Sequence, residues 1–471
     1  MHVPIAAKVV KTIPLVNNLP SQRVNLTAYQ KAYGLVKSAT FTARSANKWY
    51  MSGIEEVLGQ SYLRGTLRVP GSKSVGLRAL LIASVAQGTS RIEGLTLCDD
   101  VRALVANFAT LGVRAEERDG AHYVKGTRWS DGVTLQCGES GLLARVLPFF
   151  LVFQGLAGSV AGAGTLRGRA QGALWRALRS TGGRWVAPGA RLPLRVRSVQ
   201  PPPAVACGPA DSSQPTTGVL MAMPLARRRG RVSTMGVRSG GYIELTADVM
   251  RAFGVEVRQL PGPQVIVVSP HGYSATDYSV EGDWSAAALL LAGLGAGGAL
   301  RLQGLRRTSA QPDRAIVPIL AGCGVQVHWE GNDLLASHVR GSALQPFATD
   351  VTDAPDLFPA LAVLAAACHG RSYIRGASRL ANKESARGEE LVRLLCGMGI
   401  TACIDGDALV VDGGTPHGGD SIQLPQDHRI AMAAALLAMR GVGSTHLVGT
   451  SCVGKSYPGF FDDLARLSVR V

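Results

Sequence analysis

The chain has 471 residues, 46% of them hydrophobic, and Lys plus Arg outnumber Asp plus Glu by 49 to 33. That length can bury a large core and divides into two domains or more, and the basic balance favours acidic partners. Aromatics make up only 6% and no basic run is interleaved with them, so the expected partners are small anions and not nucleic acid.

No apolar run reaches roughly 18 residues without a Gly, Pro or polar break, so no membrane partner is expected. The eight cysteines show no C-x-x-C spacing and read as reduced core residues of a cytoplasmic protein. No two of the nine histidines stand at ligand spacing, so no metal site follows.

Residues 1–53 hold seven Lys or Arg and no acid. They read as a basic extension, disordered or processed: a transit peptide over residues 1–50 that would direct organellar import, an over-extended reading frame, or a tail. The first element is expected near Ile54. A β-type segment at 65–69 then meets Pro70-Gly71, and a helix opens at Ser72-Lys73-Ser74 ahead of the apolar run 79–86. Free N–H groups, a hydroxyl and Lys73 converge there as an anion seat. Arg78 lies one turn on from Ser74 and could hold a second acidic group of the same ligand. The plain alternative is a capped helix with solvated basic residues.

Further along, Ala/Leu-rich helical runs end in Gly and are followed by short strands of similar form at 90–95, 299–305, 372–376 and 445–449. A second strand type is expected after helices at 111–114, 182–185, 253–257, 323–327 and 398–400. The unit recurs every roughly 60 to 80 residues, and the Gly before each strand fits a helix C-cap. Such units pack around shared helices in an α/β assembly. Residues 199–203 read as a stiff surface loop and Arg227-Arg228-Arg229-Gly230-Arg231 as a charged hairpin turn.

Polar clusters sit where apolar segments end. Cys137-Gly138-Glu139-Ser140-Gly141, with Arg145 beyond, places small residues at a helix start. Gly162 to Arg169 is a Gly-rich loop ending in Arg167 and Arg169, and Ser212-Ser213-Gln214 precedes a helical run from Thr217. In the second half, Asp356 is expected at the start of an apolar helix, and Lys383-Glu384-Ser385 with Arg387 forms a charged cluster ahead of another at 389–395. Asp427-His428-Arg429 opens a third, and Lys455 lies in a Gly-Lys-Ser turn. Each cluster alone reads more often as a cap or a solvated surface than as a site.

Together, in the order S-K-S…R, G-E-S-G…R, G-x-G-T-L-x-x-R, S-S-Q, S-x-x-Y, P-D, K-E-S-x-R, D-H-R and G-K-S-Y-P, these pieces resemble the 5-enolpyruvylshikimate-3-phosphate (EPSP) synthase family over about residues 60–470. The resemblance implies a two-domain, inside-out α/β barrel of six repeated βαβαββ-type units. Residues 54–70 plus 283–471 would form one domain and 71–282 the other, with crossings near Pro70 and Gly282 and an active site in the cleft between them. It implies transfer of the enolpyruvyl group of phosphoenolpyruvate to the 5-hydroxyl of shikimate 3-phosphate, with no cofactor, by a monomer.

Carried over by position, Lys73, Ser74, Arg78, Ser212, Ser213, Gln214, Ser239, Tyr242, Asp356 and Lys383 would meet shikimate 3-phosphate. Lys73, Gly141, Arg169, Gln214, Arg387, Arg429 and Lys455 would meet phosphoenolpyruvate. Asp356 and Glu384 would be the acid/base pair, assisted by Lys73 or Lys455. Two substrates that each carry a phosphate and a carboxylate need this many cations, and a proton gained and lost at carbon needs two proton-handling groups.

This chain departs from the family at Thr165, where some members carry Arg, so the phosphate contact falls to Arg167 or Arg169. It also departs at Ala170, at Ala386 in place of an acid, and at Glu139-Ser140-Gly141-Leu142. The sister enzyme acting on UDP-N-acetylglucosamine is disfavoured by Ser74, by Ser-Ser-Gln and by the lack of a Cys in a Gly-rich loop. A non-catalytic anion binder has no use for Asp356 and Glu384.

Overall fold

The computed structural model describes residues 54–187, 191–197, 201–208, 212–261, 264–418 and 421–470. The basic extension 1–53 and the start of the 199–203 loop lie outside them. Among the described residues, five of six sheets repeat one pattern, a parallel pair of strands extended by an antiparallel hairpin, and the sixth has the parallel pair with one antiparallel strand. In one, Thr89–Glu93 runs parallel to Asp277–Ser279 and antiparallel to Ala121–Lys125, whose other neighbour is Arg114–Arg118. The pattern recurs where Val133–Gln136 pairs with Gly158–Ala161 and where Ala204–Ala206 pairs with Gly230–Ser233.

Three more such sheets are built on Ser61–Arg68 beside Gly298–Gln303, Ala348–Asp350 beside Arg371–Arg375, and Ser421–Gln423 beside Ser444–Val448. In the last, the antiparallel partner is Ile54–Leu58 from the other end of the chain. The recurring unit read from the sequence, six copies by the resemblance, is therefore a repeat of strand pairing, completed by strands distant in sequence.

Two separate apolar cores lie under these sheets, one drawn from residues 57–69 and 284–467, the other from 75–280. Each holds three helices buried on nearly every side: Trp284–Ala292, Phe358–Ala367 and His428–Arg440 in the first, Lys73–Ala83, Gly141–Phe153 and Gln214–Ala222 in the second. Ala, Leu, Phe and Met all around these helices leave no face for water, so the polar residues collect at their N-termini.

The chain crosses between the cores twice, and the crossings pair. Gly71 bridges Gly282, Asp283 N donates to Pro70 O at 2.8 Å, and Ser72 N donates to Glu281 O at 2.8 Å. A Cβ on Gly71 would stand 1.8 Å from Gly94 O, so only glycine fits there.

The second strand type begins later than its sequence signal, at Arg114, Val257, Gln326 and Ala402. The residues taken for strand starts are helix ends. Gly112, Gly254, Gly324 and Gly399 have positive φ, and the buried Val113, Val255, Val325 and Ile400 donate back to Phe108, Met250, Leu320 and Leu395. This is the 6→1 bond of a Schellman end, whose apolar plug imitates a strand residue. The Arg227–Arg231 stretch is not a hairpin either: it joins the 3₁₀ turn Met223–Ala226 to the strand Gly230–Ser233. Two helices also start earlier than expected, at Gln214 and Arg387.

Candidate active site

A cavity of about 360 Å³ lies between the two sets of core helices. Lys73, Gly141, Gln214 and His428 line it from first turns, and Asp356 from the short 3₁₀ turn ahead of Phe358–Ala367. Converging helix N-termini give the space a positive potential before any side-chain charge is added.

The side chains add more charge of the same sign, balanced by a few carboxylates. Asp356 accepts from Arg387 Nη1 at 2.9 Å, Lys383 Nζ at 3.2 Å, Arg429 Nη2 at 3.3 Å and Tyr242 OH at 3.4 Å. Glu384 accepts from Arg387 Nη2 at 2.7 Å and pairs with Lys455 at 3.3 Å and Arg169 at 3.5 Å. Arg387 also binds the fully buried Asp427 through Nε at 2.9 Å, and Asp427 caps its helix through Arg429 N. Arg387 is thus a fork joining three carboxylates.

Burial raises the proton affinity of Asp356, but Arg429, Lys383 and Arg387 outweigh it and hold the carboxyl well below its usual range. Glu384 is likewise raised by burial and then held well below by Arg387, Lys455 and Arg169. Both carboxylates add stability that is fully present above an unfolded value of about 4. It is lost as the pH falls through their depressed folded values. Thermal melts from pH 7 to pH 3 are expected to decline, and the decline should be shallower in Asp356→Asn; an equal slope would show that this carboxylate carries none of it.

Lys73 pairs with Asp100 at 3.2 Å, and burial, which lowers its proton affinity, is outweighed by Asp100 together with Cys98 and Glu384, so it stays an ammonium. Ser74, Ser212, Ser213, Ser239, Tyr242, Lys383, Arg169 and Arg429 also line the cavity. Ser239 is held in a left-handed conformation, φ 65, by Arg379 Nη2 on its hydroxyl at 2.8 Å and by Asp353 on its N–H. Arg78 lines the cavity wall and turns three of its five donors inward, on Ser74 O, Thr246 and Thr217. Arg387 and Lys455 stand behind Glu384, and Lys455 Nζ donates across to Glu139 O at 3.1 Å. At the Gly-rich loop Arg169 enters the cavity, with Nη2 on Thr165 Oγ1 at 2.9 Å, whereas Arg167 turns away onto Gly162 O.

Several lining groups have no role assigned from the sequence, although Arg145 and His428 stand within its motifs. Arg145, four residues after Gly141 and so on the same helix face, donates to Gln214 Oε1 at 2.6 Å and to Gln171 Oε1 at 3.0 Å; that spacing was the available signal. His428 is buried with neither ring nitrogen hydrogen-bonded, and burial followed by Lys73 and Arg429 holds it neutral. Asp100, Gln171 and Arg379 carried no local signal. The described residues hold no cluster of three or more metal-ligating side chains, and no helix among them is long and apolar enough to cross a membrane.

Residues 57–464 match the family described as EPSP synthase (3-phosphoshikimate 1-carboxyvinyltransferase). The 3-phosphoshikimate 1-carboxyvinyltransferase of Thermococcus kodakarensis is 36% identical over 86% of this chain and 98% of its own, and that of Aeropyrum pernix 33% over 90% and 98%. Among solved structures, EPSP synthase from Acinetobacter baumannii superposes with a TM-score of 0.73 at 25% identity, over 88% of this chain and 98% of that one. The enolpyruvyl transferase NikO from Streptomyces tendae shares the fold, with a TM-score of 0.69 at 19% identity over 88% and 98%.

Proposed function

The chain belongs to the EPSP synthase family, and we propose that the cavity between its two cores is where it works. The activity is that of the family: the enolpyruvyl group of phosphoenolpyruvate passes to the 5-hydroxyl of shikimate 3-phosphate and phosphate leaves, a step toward chorismate and the aromatic amino acids. The observation that carries the site is the pairing of Asp356 and Glu384 through one arginine, Arg387, inside a shell of cations drawn from both cores.

Lys73, Ser74, Arg78, Ser212, Ser213, Gln214, Ser239, Tyr242 and Lys383 are assigned to shikimate 3-phosphate. Gly141, Arg169, Arg429 and Lys455 take phosphoenolpyruvate, together with Lys73, Gln214 and, once it gives up one of its carboxylate partners, Arg387. Asp356 exposes 22% of its side chain and Asp427 none, so Asp356 is the carboxylate that a hydroxyl can reach. It accepts the 5-hydroxyl proton as the oxygen attacks.

Glu384 delivers a proton to the methylene carbon and later takes one back. It is ionised while Arg169 and Lys455 face it. Anionic oxygens of the substrate draw those cations away, and the proton affinity of Glu384 rises toward the range in which it can act as an acid.

The enzyme is read as a monomer, and the pathway suits the cytoplasm. The two cores are read as domains 54–70 plus 283–471 and 71–282. A phosphate-release assay tests the function: release should require phosphoenolpyruvate and shikimate 3-phosphate together, and turnover with UDP-N-acetylglucosamine instead would overturn it.

A further inference from the structure

The start of the Lys73 helix is held by the core to which it does not belong. Gln311 precedes the 3₁₀ turn Pro312–Ala315, which packs on Trp284–Ala292, and is only 6% exposed. Its Oε1 accepts from Ser72 Oγ at 3.0 Å and from Trp284 N at 3.1 Å, and its Nε2 donates to Gly282 O at 2.9 Å. A backbone N–H can only donate and a backbone carbonyl only accept, so these partners fix which way the amide faces. One buried side chain thus grips both crossings.

Ser72 is the N-cap of Lys73–Ala83, yet its hydroxyl makes no cap bond. A capping serine accepts from its own helix; this one donates out to Gln311. The next group, Lys73 N, donates to Asp283 Oδ2 at 3.2 Å, while Asp283 Oδ1 caps the helix of the opposite core through Ser285 N at 2.8 Å and Ala286 N at 3.1 Å. Gln311 is braced in turn: its N–H donates to Ser309 Oγ at 3.1 Å, and Ser309 Oγ donates to Glu281 Oε1 at 2.8 Å. Neither Ser72 nor Gln311 lines the cavity, but Lys73 does.

We propose that Gln311 is a positioning residue for Lys73: through Ser72 it moors the first turn of Lys73–Ala83 to the opposite core and so fixes where the ammonium meets the substrates. The proposal rests on the transferase reading, which makes Lys73 a substrate-binding cation. A lysine carries its charge on a flexible stem, so its aim depends on the backbone from which it starts. Lys73 is the first residue of its helix, where no intrahelical bond holds the N–H, and the moorings to Gln311 and Asp283 take that place. A misplacement of about 1 Å at a reacting centre can cost about a hundredfold in rate.

The test is Ser72→Ala in the full-length protein, which cuts the link to the Lys73 helix and leaves Gln311 its bonds to Trp284 and Gly282. In assays well below the melting transition, kcat and the calorimetric affinity for shikimate 3-phosphate are each expected to fall about tenfold or more. Made in a Lys73→Met background, the same change should cost less than about twofold in that affinity, because the residue it positions is already gone. A lower Tm with kcat and affinity unchanged, or an equal further loss in the Lys73→Met background, would mark a brace of the fold only and overturn the proposal. Gln311→Met is measured alongside, with the same losses expected; if Ser72→Ala does not fold, wild-type kcat and affinity in Gln311→Met overturn the proposal by themselves. Failure of the transferase reading is distinguishable, because the wild-type enzyme would then release no phosphate and bind no shikimate 3-phosphate.

Discussion

Glu384→Gln is expected to lower kcat by about a hundredfold to ten-thousandfold, the usual worth of a positioned acid or base, while shikimate 3-phosphate still binds. The amide keeps the size of the side chain and can still accept from Arg387, now 2.7 Å from Glu384 Oε2, so the fold around it should hold. What it cannot do is deliver a proton to carbon and recover one. A loss confined to kcat marks an interaction made in the transition state. Equal losses of kcat and of substrate affinity would instead mark Glu384 as a group that only spaces Arg169, Lys455 and Arg387. Asp356→Asn should show the same pattern.

The second large effect belongs to Arg387. Its side chain is 1% exposed, and its donors reach Asp427, Asp356 and Glu384. Removing one partner from a buried ion cluster leaves the others uncompensated, at a cost of about 3–5 kcal/mol. Arg387→Met is therefore expected to lower the urea midpoint strongly as well as to abolish turnover. Lys at this position should recover little of either, because an ammonium on a single stem cannot reproduce a planar fork aimed at three carboxylates. A variant as stable as the wild type would mean that Asp427 is held by its helix cap and Ser385 alone, and that the fork is not what organises the site.

The sequence exposed those parts of the site in which several chemically odd residues stand together. Asp356 and Asp427-His428-Arg429 are charges at the starts of Ala/Leu helices whose burial on every side forces their polar ends into one cleft, and Lys383-Glu384 with Arg387 joins them from a helix buried on one face. Lone residues were hidden. Asp100 meets Lys73 only because the helix Asp99–Leu111 packs beside Lys73–Ala83, and nothing local marks that pairing. Gln171, which nothing local marks, reaches the cavity wall where Arg145 Nε donates to its Oε1. Strand starts were misplaced for a different reason: the apolar plug of a Schellman end, such as Val255 after Gly254, has the composition of a strand residue.

The choice between Arg167 and Arg169 could not be made from spacing either. Both follow the same Gly-rich loop, and the outcome depends on the 3₁₀ turn Gly164–Gly168, which sends Arg167 back onto Gly162 O and Arg169 toward Glu384.

Proton exchange at carbon reports most directly on a pocket in which folding sets two acidic groups among gathered cations. With both substrates in D₂O, deuterium should enter the vinyl carbon of recovered phosphoenolpyruvate and of product, seen by NMR, and Glu384→Gln should suppress it. Turnover that leaves this carbon free of deuterium would contradict the account.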